Sequence, residues 1–432
     1  MSTELNPALI DDLWQKADDV FDSLKNLSST WPVLHGLKSA QSVIDGLKPH
    51  AAAFKKYENV VILGTGGSSL GGQALTALSN QNQADNVAEP NKKPESTKTQ
   101  EPTKSPELHF IDNIDSSTFH TLLSTLNPLT TGVLAISKSG NTAETLMQTL
   151  TLLQTWNAFD PTAQMRIITE NKDNGMRDVA RHYTIECIDH PDDVGGRFSV
   201  FSCVALLPAL IKGIDVSAFC HGALSAYFEL EHSSPKTCQA LSGALLQVAH
   251  AQSGVGTTVL FAYSNALAKF CEWFCQLWAE SLGKKDVQGN AQGTTPVKAI
   301  GAIDQHSQLQ LYLEGPRDKF YTVITCEKQQ PTIALDLPDS LKHPSVTALN
   351  HRSMGELMTA EQNSTIDTLR RHGCPLRRMA IDTLDEANLG SLMMHFMLET
   401  LAAARFLNVN PFDQPAVEEG KVLAIEYLRK SG

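Results

Sequence analysis

Several short stretches of this chain hold residue types that could do chemistry, and most of them suit an anion. Val60-Val61-Ile62-Leu63-Gly64-Thr65-Gly66-Gly67-Ser68-Ser69-Leu70-Gly71-Gly72 reads as a strand, a glycine loop and a helix start. Small residues there let backbone N–H groups approach an anion, and the helix N-terminus adds its positive dipole end. No Gly-Lys-Ser/Thr follows, so this is not a nucleotide P-loop, and Ser69 stands where a dinucleotide loop needs its third glycine. A tight strand-to-helix turn would carry the same residues. After a second apolar run, Ser137-Lys138-Ser139-Gly140-Asn141-Thr142-Ala143-Glu144-Thr145 repeats the layout. Its hydroxyl donors and single lysine suit a phosphate monoester; Asn141 with Glu144 three residues later also fits a capping box.

Asp193-Val194-Gly195-Gly196-Arg197-Phe198-Ser199 sets an arginine behind two glycines, where it could face developing negative charge or pair with a surface carboxylate. Gln276 and Glu280 lie four apart on an aromatic-rich helix expected over Ser264–Gly283, so they share a face. The negative dipole end near that helix's C-terminus disfavours a second negative charge and so favours a proton acceptor. A solvated helix glutamate has the same spacing. Asp304-Gln305-His306-Ser307 and Gly420-Lys421 are individually uninformative. The residues alone reach a sugar-phosphate or similar anion site with candidate acid–base groups, and no defined reaction.

The elements that must position these groups alternate. The first fifty residues recur at helical spacing through Leu9, Leu13, Val20 and Leu24. Strands are expected at Asn59–Leu63, Leu108–Ile111, Val133–Ile136, Met165–Thr169 and Tyr183–Ile188, with an apolar helix from Ser199. A second round has strands Val259–Ala262 and Phe320–Cys326, helices Ser264–Gly283 and Gln305–Glu314, then helices Asn388–Phe406 and Ala416–Tyr427 joined by Asn410-Pro411-Phe412-Asp413. Such alternation predicts an α/β fold with parallel sheets covered by helices. Ser79 to Glu107 contains Pro90, Pro94, Pro102 and Pro106 and no aromatic, too little apolar surface to offset its ordering entropy, and is read as a mobile surface insertion.

Composition narrows the partners. The 432 residues are 42% hydrophobic and 19% charged, an ordinary globular mixture with length for two or three domains. Lys plus Arg number 35 against 47 Asp plus Glu, a formal charge of −12, which argues against a nucleic acid or an anionic membrane as partner. No apolar run reaches membrane-span length, and Met1-Ser2-Thr3-Glu4-Leu5-Asn6 lacks the layout of a signal peptide. The eight cysteines form no CxxC pair, so buried reduced thiols and a cytoplasmic protein are expected.

In order along the chain, Gly66-Gly67-Ser68, Ser137-Lys138-Ser139-Gly140-Asn141-Thr142, Gly195-Gly196-Arg197-Phe198-Ser199, Gln276-Leu277-Trp278-Ala279-Glu280-Ser281, Gln305-His306-Ser307 and Phe412-Asp413-Gln414-Pro415-Ala416-Val417-Glu418-Glu419-Gly420-Lys421 resemble the glucose-6-phosphate isomerase family. Ala416 departs from the family's usual glycine. The resemblance implies two sugar-isomerase (SIS) domains, each a three-layer αβα sandwich with a parallel-rich sheet: 50–212, with the insertion 79–107, and 213–385. Helices 1–49 would pack on the second domain, and 386–432 would form a helical arm. It implies reversible aldose–ketose isomerisation of glucose 6-phosphate and fructose 6-phosphate without cofactor or metal. Gly67, Ser68, Ser137, Lys138, Ser139 and Thr142 would hold the phosphate, and Gln276 and Gln414 the sugar. Glu280 would move the proton, Arg197 would stabilise the intermediate, and His306 and Lys421 would assist ring opening. Glu144 would orient His306, a role its place in a capping box competes with. The histidine would come from the partner of a homodimer. Two alternatives are an isomerase that also takes mannose 6-phosphate and a non-catalytic SIS-type sensor, which would need neither Glu280, His306 nor Lys421.

Overall fold

The computed structural model describes residues 5–79, 105–328 and 333–430. Most of the proline-bearing stretch from Ser79 to Glu107 therefore lies outside the described residues, while Glu107 itself opens a strand. Five strands, β1 (Asn59–Leu63), β2 (Glu107–Ile111), β3 (Thr131–Ile136), β4 (Met165–Thr169) and β5 (Glu186–Asp189), form a parallel sheet in the order β2-β1-β3-β4-β5. Four more, β6 (Thr257–Ala262), β7 (Thr295–Ile300), β8 (Lys319–Cys326) and β9 (Leu376–Ile381), form a second parallel sheet in the order β7-β6-β8-β9. The central strands β1, β3, β6 and β8 are buried along nearly their whole length, as their predominantly apolar sequences require when helices cover both faces.

This strand order fixes where a ligand can sit. From β1 the chain crosses to β2 on one side, and from β3 to β4 on the other, so a crevice opens between the carboxyl ends of β1 and β3. The Gly64–Ser69 and Ser137–Thr142 loops leave from those two ends. They nearly touch: a Cβ on Gly64 would stand 3.0 Å from the Ile136 carbonyl oxygen.

The helix that follows β1, Leu70–Thr76, packs against the helix that follows β6, Ala268–Leu282, and joins the two units. Their inner faces share a continuous core with Trp31, Phe54, Phe198, Trp273 and Phe396, while the outer face of each sheet has its own smaller cluster. Helix Ala40–Phe54 lies along Cys203–Lys212, and the helices before it meet Val216–His232, Gln239–Gln252 and Glu386–Phe406. All eight cysteines are free, Cys187 and Cys275 half-buried and the others buried. Among the described residues no helix is long and apolar enough to cross a membrane.

Within the second unit the long helix Glu386–Phe406 carries a wholly buried carboxylate, Glu399. It takes two N–H bonds from Arg377 of β9, at 2.7 and 2.8 Å, one from Gln247 at 3.0 Å, and a contact at 3.1 Å with His395 Nε2. Gly243 makes room for this group, since a Cβ there would lie 2.2 Å from Arg377 Nη1.

Several local expectations are corrected. Tyr183 ends the helix Gly175–Tyr183, and β5 starts only at Glu186, after Thr184 turns the chain through a left-handed φ of 55°. The helix expected from Gln305 begins at Leu309, because Ile303–Gln305 is a single 3-10 turn held by Asp304, whose carboxylate accepts from Ile300 N–H. No capping box forms at Asn141: Thr142 is the N-cap, and Asn141 Oδ1 accepts instead from Gly175 N–H at 2.9 Å. The last helix runs Glu418–Lys430, and none of its residues is buried.

Candidate active site

The Glu280 side chain is aimed by the opposite face of its own helix. Phe270, Trp273, Phe274 and Trp278 are buried, with Phe270 and Phe274 packed on Phe396 of the long helix. Gln276 and Glu280 are left half-buried on the remaining face, where Gln276 Nε2 donates to Glu280 Oε1 at 3.0 Å.

Three backbones converge on that face because two of them lack side chains. Gly66 has a φ of +54°, and a Cβ on it would stand 2.9 Å from Gln276 Nε2. A Cβ on Gly67 would lie 2.3 Å from the Gly196 carbonyl carbon, so the β1 loop lies directly on the arginine turn Gly196–Phe201. Ser199 Oγ fastens the contact, donating to the carbonyls of Gly196 at 2.7 Å and Gly67 at 3.3 Å.

This turn drives Arg197 into the interior, where every N–H of the guanidinium finds an acceptor. Nε donates to Ser281 Oγ at 2.9 Å; Nη1 donates to Glu280 Oε2 at 3.1 Å and Gln414 Oε1 at 2.6 Å; Nη2 donates to the carbonyls of Pro411 and, at 2.9 Å, Asp413. A guanidinium has five N–H donors, and all are used. Burial pulls its pKa below the ordinary value, opposed by the Glu280 and Asp413 charges, and the group stays cationic at neutral pH. The cluster is thus a fixed positive charge beside a half-exposed carboxylate, the arrangement that proton abstraction with a developing oxyanion requires.

At the neighbouring strand end, Ser137 is buried and its hydroxyl donates to Thr142 Oγ1 at 3.0 Å. Gly140 takes a φ of +67° so that the loop can pass over Asn174. Because the Thr142 side chain caps nothing, helix Ala143–Thr155 opens without a side-chain acceptor for its first N–H groups, which leaves its positive end open to an anion. Lys138 Nζ lies 3.5 Å from Glu170 Oε1 beside this loop. Ser139 is exposed and Ser68 half-buried.

His306 and Lys421 lie apart from this cluster. His306 is exposed at the end of the Ile303–Gln305 turn, and Lys421 is exposed on the last helix, paired with Glu418 at 2.7 Å. Among the described residues no hydrogen bond or ion pair joins either to Arg197 or Glu280, nor Glu144, which is exposed, to His306.

The sequence matches, over residues 16–431, a protein family described as phosphoglucose isomerase. The chain belongs to the phosphoglucose isomerase family. Among similar proteins of that name, the glucose-6-phosphate isomerase of Rubrobacter xylanophilus is 34% identical over 332 residues, 76% of this chain and 75% of that one. A glucose-6-phosphate isomerase of Thermus thermophilus is 34% identical over 378 residues, 86% of this chain and 84% of that one. Among solved structures, a hypothetical protein from Thermus thermophilus superposes with a TM-score of 0.85 at 30% identity, covering 98% of this chain and 97% of the other. A glucose-6-phosphate isomerase from Chlamydia trachomatis, at 20% identity, shares the fold with a TM-score of 0.79 over 98% of this chain and 85% of its own.

In this phosphoglucose isomerase family member, two groups that the sequence did not single out stand at the site. Thr145, one helical turn beyond Thr142, is wholly buried and its hydroxyl has no hydrogen-bond partner among the described residues; its spacing from Thr142 was the available signal. Ser281, next to Glu280, accepts a hydrogen bond from Arg197 Nε, and nothing in its spacing announced this.

Proposed function

We propose that this chain interconverts glucose 6-phosphate and fructose 6-phosphate through a cis-enediol(ate). The observation that carries the reading is the contact of Arg197 Nη1 with Glu280 Oε2 at the carboxyl ends of the strands, one loop away from an uncapped helix N-terminus. The phosphate, remote from the bonds that change, would be held by Gly67, Ser68, Ser137, Lys138, Ser139 and Thr142, with Thr145 as a further donor, so its binding energy positions the sugar. Glu280 would take the proton from C2 of the open-chain aldose and return it to C1, while the guanidinium balances the charge that appears on the enediolate oxygens. Because all five Arg197 donors are occupied, a substrate oxygen would gain Nη1 by exchange with Gln414 or Glu280.

His306 and Lys421 would open the ring by proton transfer to its oxygen. A second copy of the chain would bring His306 in, giving a homodimer with shared sites. Supporting this, the last helix exposes Val422, Leu423, Ile425, Tyr427 and Leu428, and Ile303 and Leu311 are exposed on either side of His306. Free thiols throughout fit a cytoplasmic enzyme. The test is a coupled assay on purified protein with fructose 6-phosphate, then mannose 6-phosphate, run alongside sedimentation. A monomer inactive on both sugars would sink the reading, and turnover of fructose 6-phosphate by a dimer would carry it.

A further inference from the structure

Lys284 lies just past the end of the Glu280 helix, its side chain only 10% exposed. Its ammonium donates to the carbonyl of Asn410, to that of Asp413 at 2.7 Å and to Asp413 Oδ1 at 2.7 Å. Three protons meet three acceptors, the condition for keeping such a covered charge. Arg197 reaches the same turn through the carbonyls of Pro411 and Asp413, so one carbonyl, that of Asp413, is shared by two cations. The turn braces itself as well: Phe412 N–H donates to Asn410 Oδ1 at 3.1 Å, and Asn410 Nδ2 to Asp413 Oδ2 at 2.9 Å.

We infer that Lys284 is a positioning residue of the isomerase site: by holding the Asn410 and Asp413 carbonyls it keeps Gln414 on Arg197 Nη1 and fixes where the terminal helix departs. The inference rests on the function proposed above. Only four positions separate Lys284 from Glu280, so one helix end carries both the base and the tether. Glu280, Arg197 and Gln414 thereby form a single braced unit. Without the ammonium, the Asn410 carbonyl and Asp413 Oδ1 lose this donor, the Asp413 carbonyl keeps only Arg197, and the turn is left to Arg197 and its own internal bonds. Among the described residues no hydrogen bond or ion pair joins Lys284 to the anion loops after β1 and β3, so the loss should fall on the orientation of reacting groups rather than on phosphate affinity.

The experiment compares full-length wild type with Lys284→Met, Lys284→Gln and Lys284→Arg by steady-state kinetics on fructose 6-phosphate and by hydrogen exchange. Misplacing reacting groups by about 1 Å costs about 100-fold, so for Met and Gln kcat should fall about 10- to 100-fold while KM stays within about threefold. Amides from 410 to 421 should exchange faster, with the strands of both sheets unchanged. Arg, which keeps the charge and the donors, should recover most of kcat. Gln keeps a neutral donor on a similar stem, so it carries the comparison if Met does not fold. Wild-type kcat in the folded variants, a loss expressed only in KM, no recovery with Arg, or unaltered exchange at 410–421 would each overturn the inference. A wild type that fails to isomerise would sink the functional reading instead, while the exchange measurement still judges the tether.

Discussion

Arg197 and Glu280 form an unequal ion pair: at 3.1 Å, an arginine side chain 1% exposed holds a glutamate 32% exposed. The guanidinium is fixed from all sides, whereas the carboxylate is held by the cation at Oε2 and by the neutral Gln276 amide at Oε1. A bond to a neutral amide is weaker than one to a guanidinium. The oxygen best placed to exchange its partner for a substrate proton is therefore Oε1, and the pair supplies a stationary charge with a movable base.

Replacing Glu280 by Gln keeps the shape and removes the base. General-base catalysis is worth roughly 10²–10⁴ in rate. Glu280→Gln should lower kcat on the order of 10³-fold with little change in ligand affinity, and exchange of the C2 hydrogen with heavy water should fall in parallel. Wild-type isomerisation and exchange in this variant would remove Glu280 from the mechanism.

The two glycines that touch across the site should respond oppositely to alanine. A Cβ on Gly67 would meet the Gly196 carbonyl carbon at 2.3 Å, backbone against backbone, whereas one on Gly196 has only Gly67 Cα, at 3.8 Å. Overpacking typically costs about 1–3 kcal/mol. Gly67→Ala should lower both the melting temperature and kcat, and Gly196→Ala should retain most of both. Calorimetry with the coupled assay distinguishes them, and equal behaviour would contradict the geometry.

Ser137→Ala and Lys138→Ala should weaken fructose 6-phosphate and inorganic phosphate alike, since both would use the same donors. Thr145→Val, which replaces an unpartnered hydroxyl by a methyl group, should do the same without loss of stability, because no internal hydrogen bond is broken. Titration calorimetry reads all three, and unchanged phosphate affinity throughout would place the anion elsewhere.

Glu399 sets an acid limit. Burial would raise its pKa, but the Arg377 guanidinium and His395 outweigh this and hold it at about 2, against an ordinary 4.5. A carboxyl with a depressed folded pKa contributes stability that is complete above about pH 4.5 and is lost as pH falls toward about 2. The shift corresponds to about 3 kcal/mol. Urea midpoints should decline over that window, and Glu399→Gln, which leaves the buried Arg377 without its counter-charge, should be destabilised at pH 7 and flatter below pH 4. A parallel decline in the variant would assign the acid limit to other groups.

The central strands were legible because β1, β3, β6 and β8 are apolar runs that must be buried on both faces. The two edge strands of the second sheet were not. β7 contains Pro296 and Lys298, and β9 contains Arg377 and Arg378, whose charges are met only in three dimensions, by Glu399 and Glu327. At the site, the glycine loops, Arg197 and the shared face of Gln276 and Glu280 could be read from spacing. Gln414 could not, since 217 positions separate it from the arginine it touches; only the family resemblance named it. Lys284 left no trace, because a lysine after a helix end looks like any solvated lysine until the turn that covers it is in place. Asn141 misled for a related reason: its best partner, Gly175 N–H, opens a later helix.

That wide separation also sets an order of assembly. A chain synthesised from its N-terminus can lay down both sheets, the arginine turn and the Glu280 helix before residues 410–414 exist. Until they arrive, three of the five Arg197 donors and all three protons of Lys284 lack their final acceptors; Arg197 has Glu280 and Ser281, but the Lys284 ammonium has no counter-charge from Asp413. Contacts this distant in sequence form late and slowly. A subunit arrested short of its C-terminus is therefore weakest at the centre that the finished one ties together with these hydrogen bonds, and the cell's proteases would meet an open centre rather than a dormant enzyme.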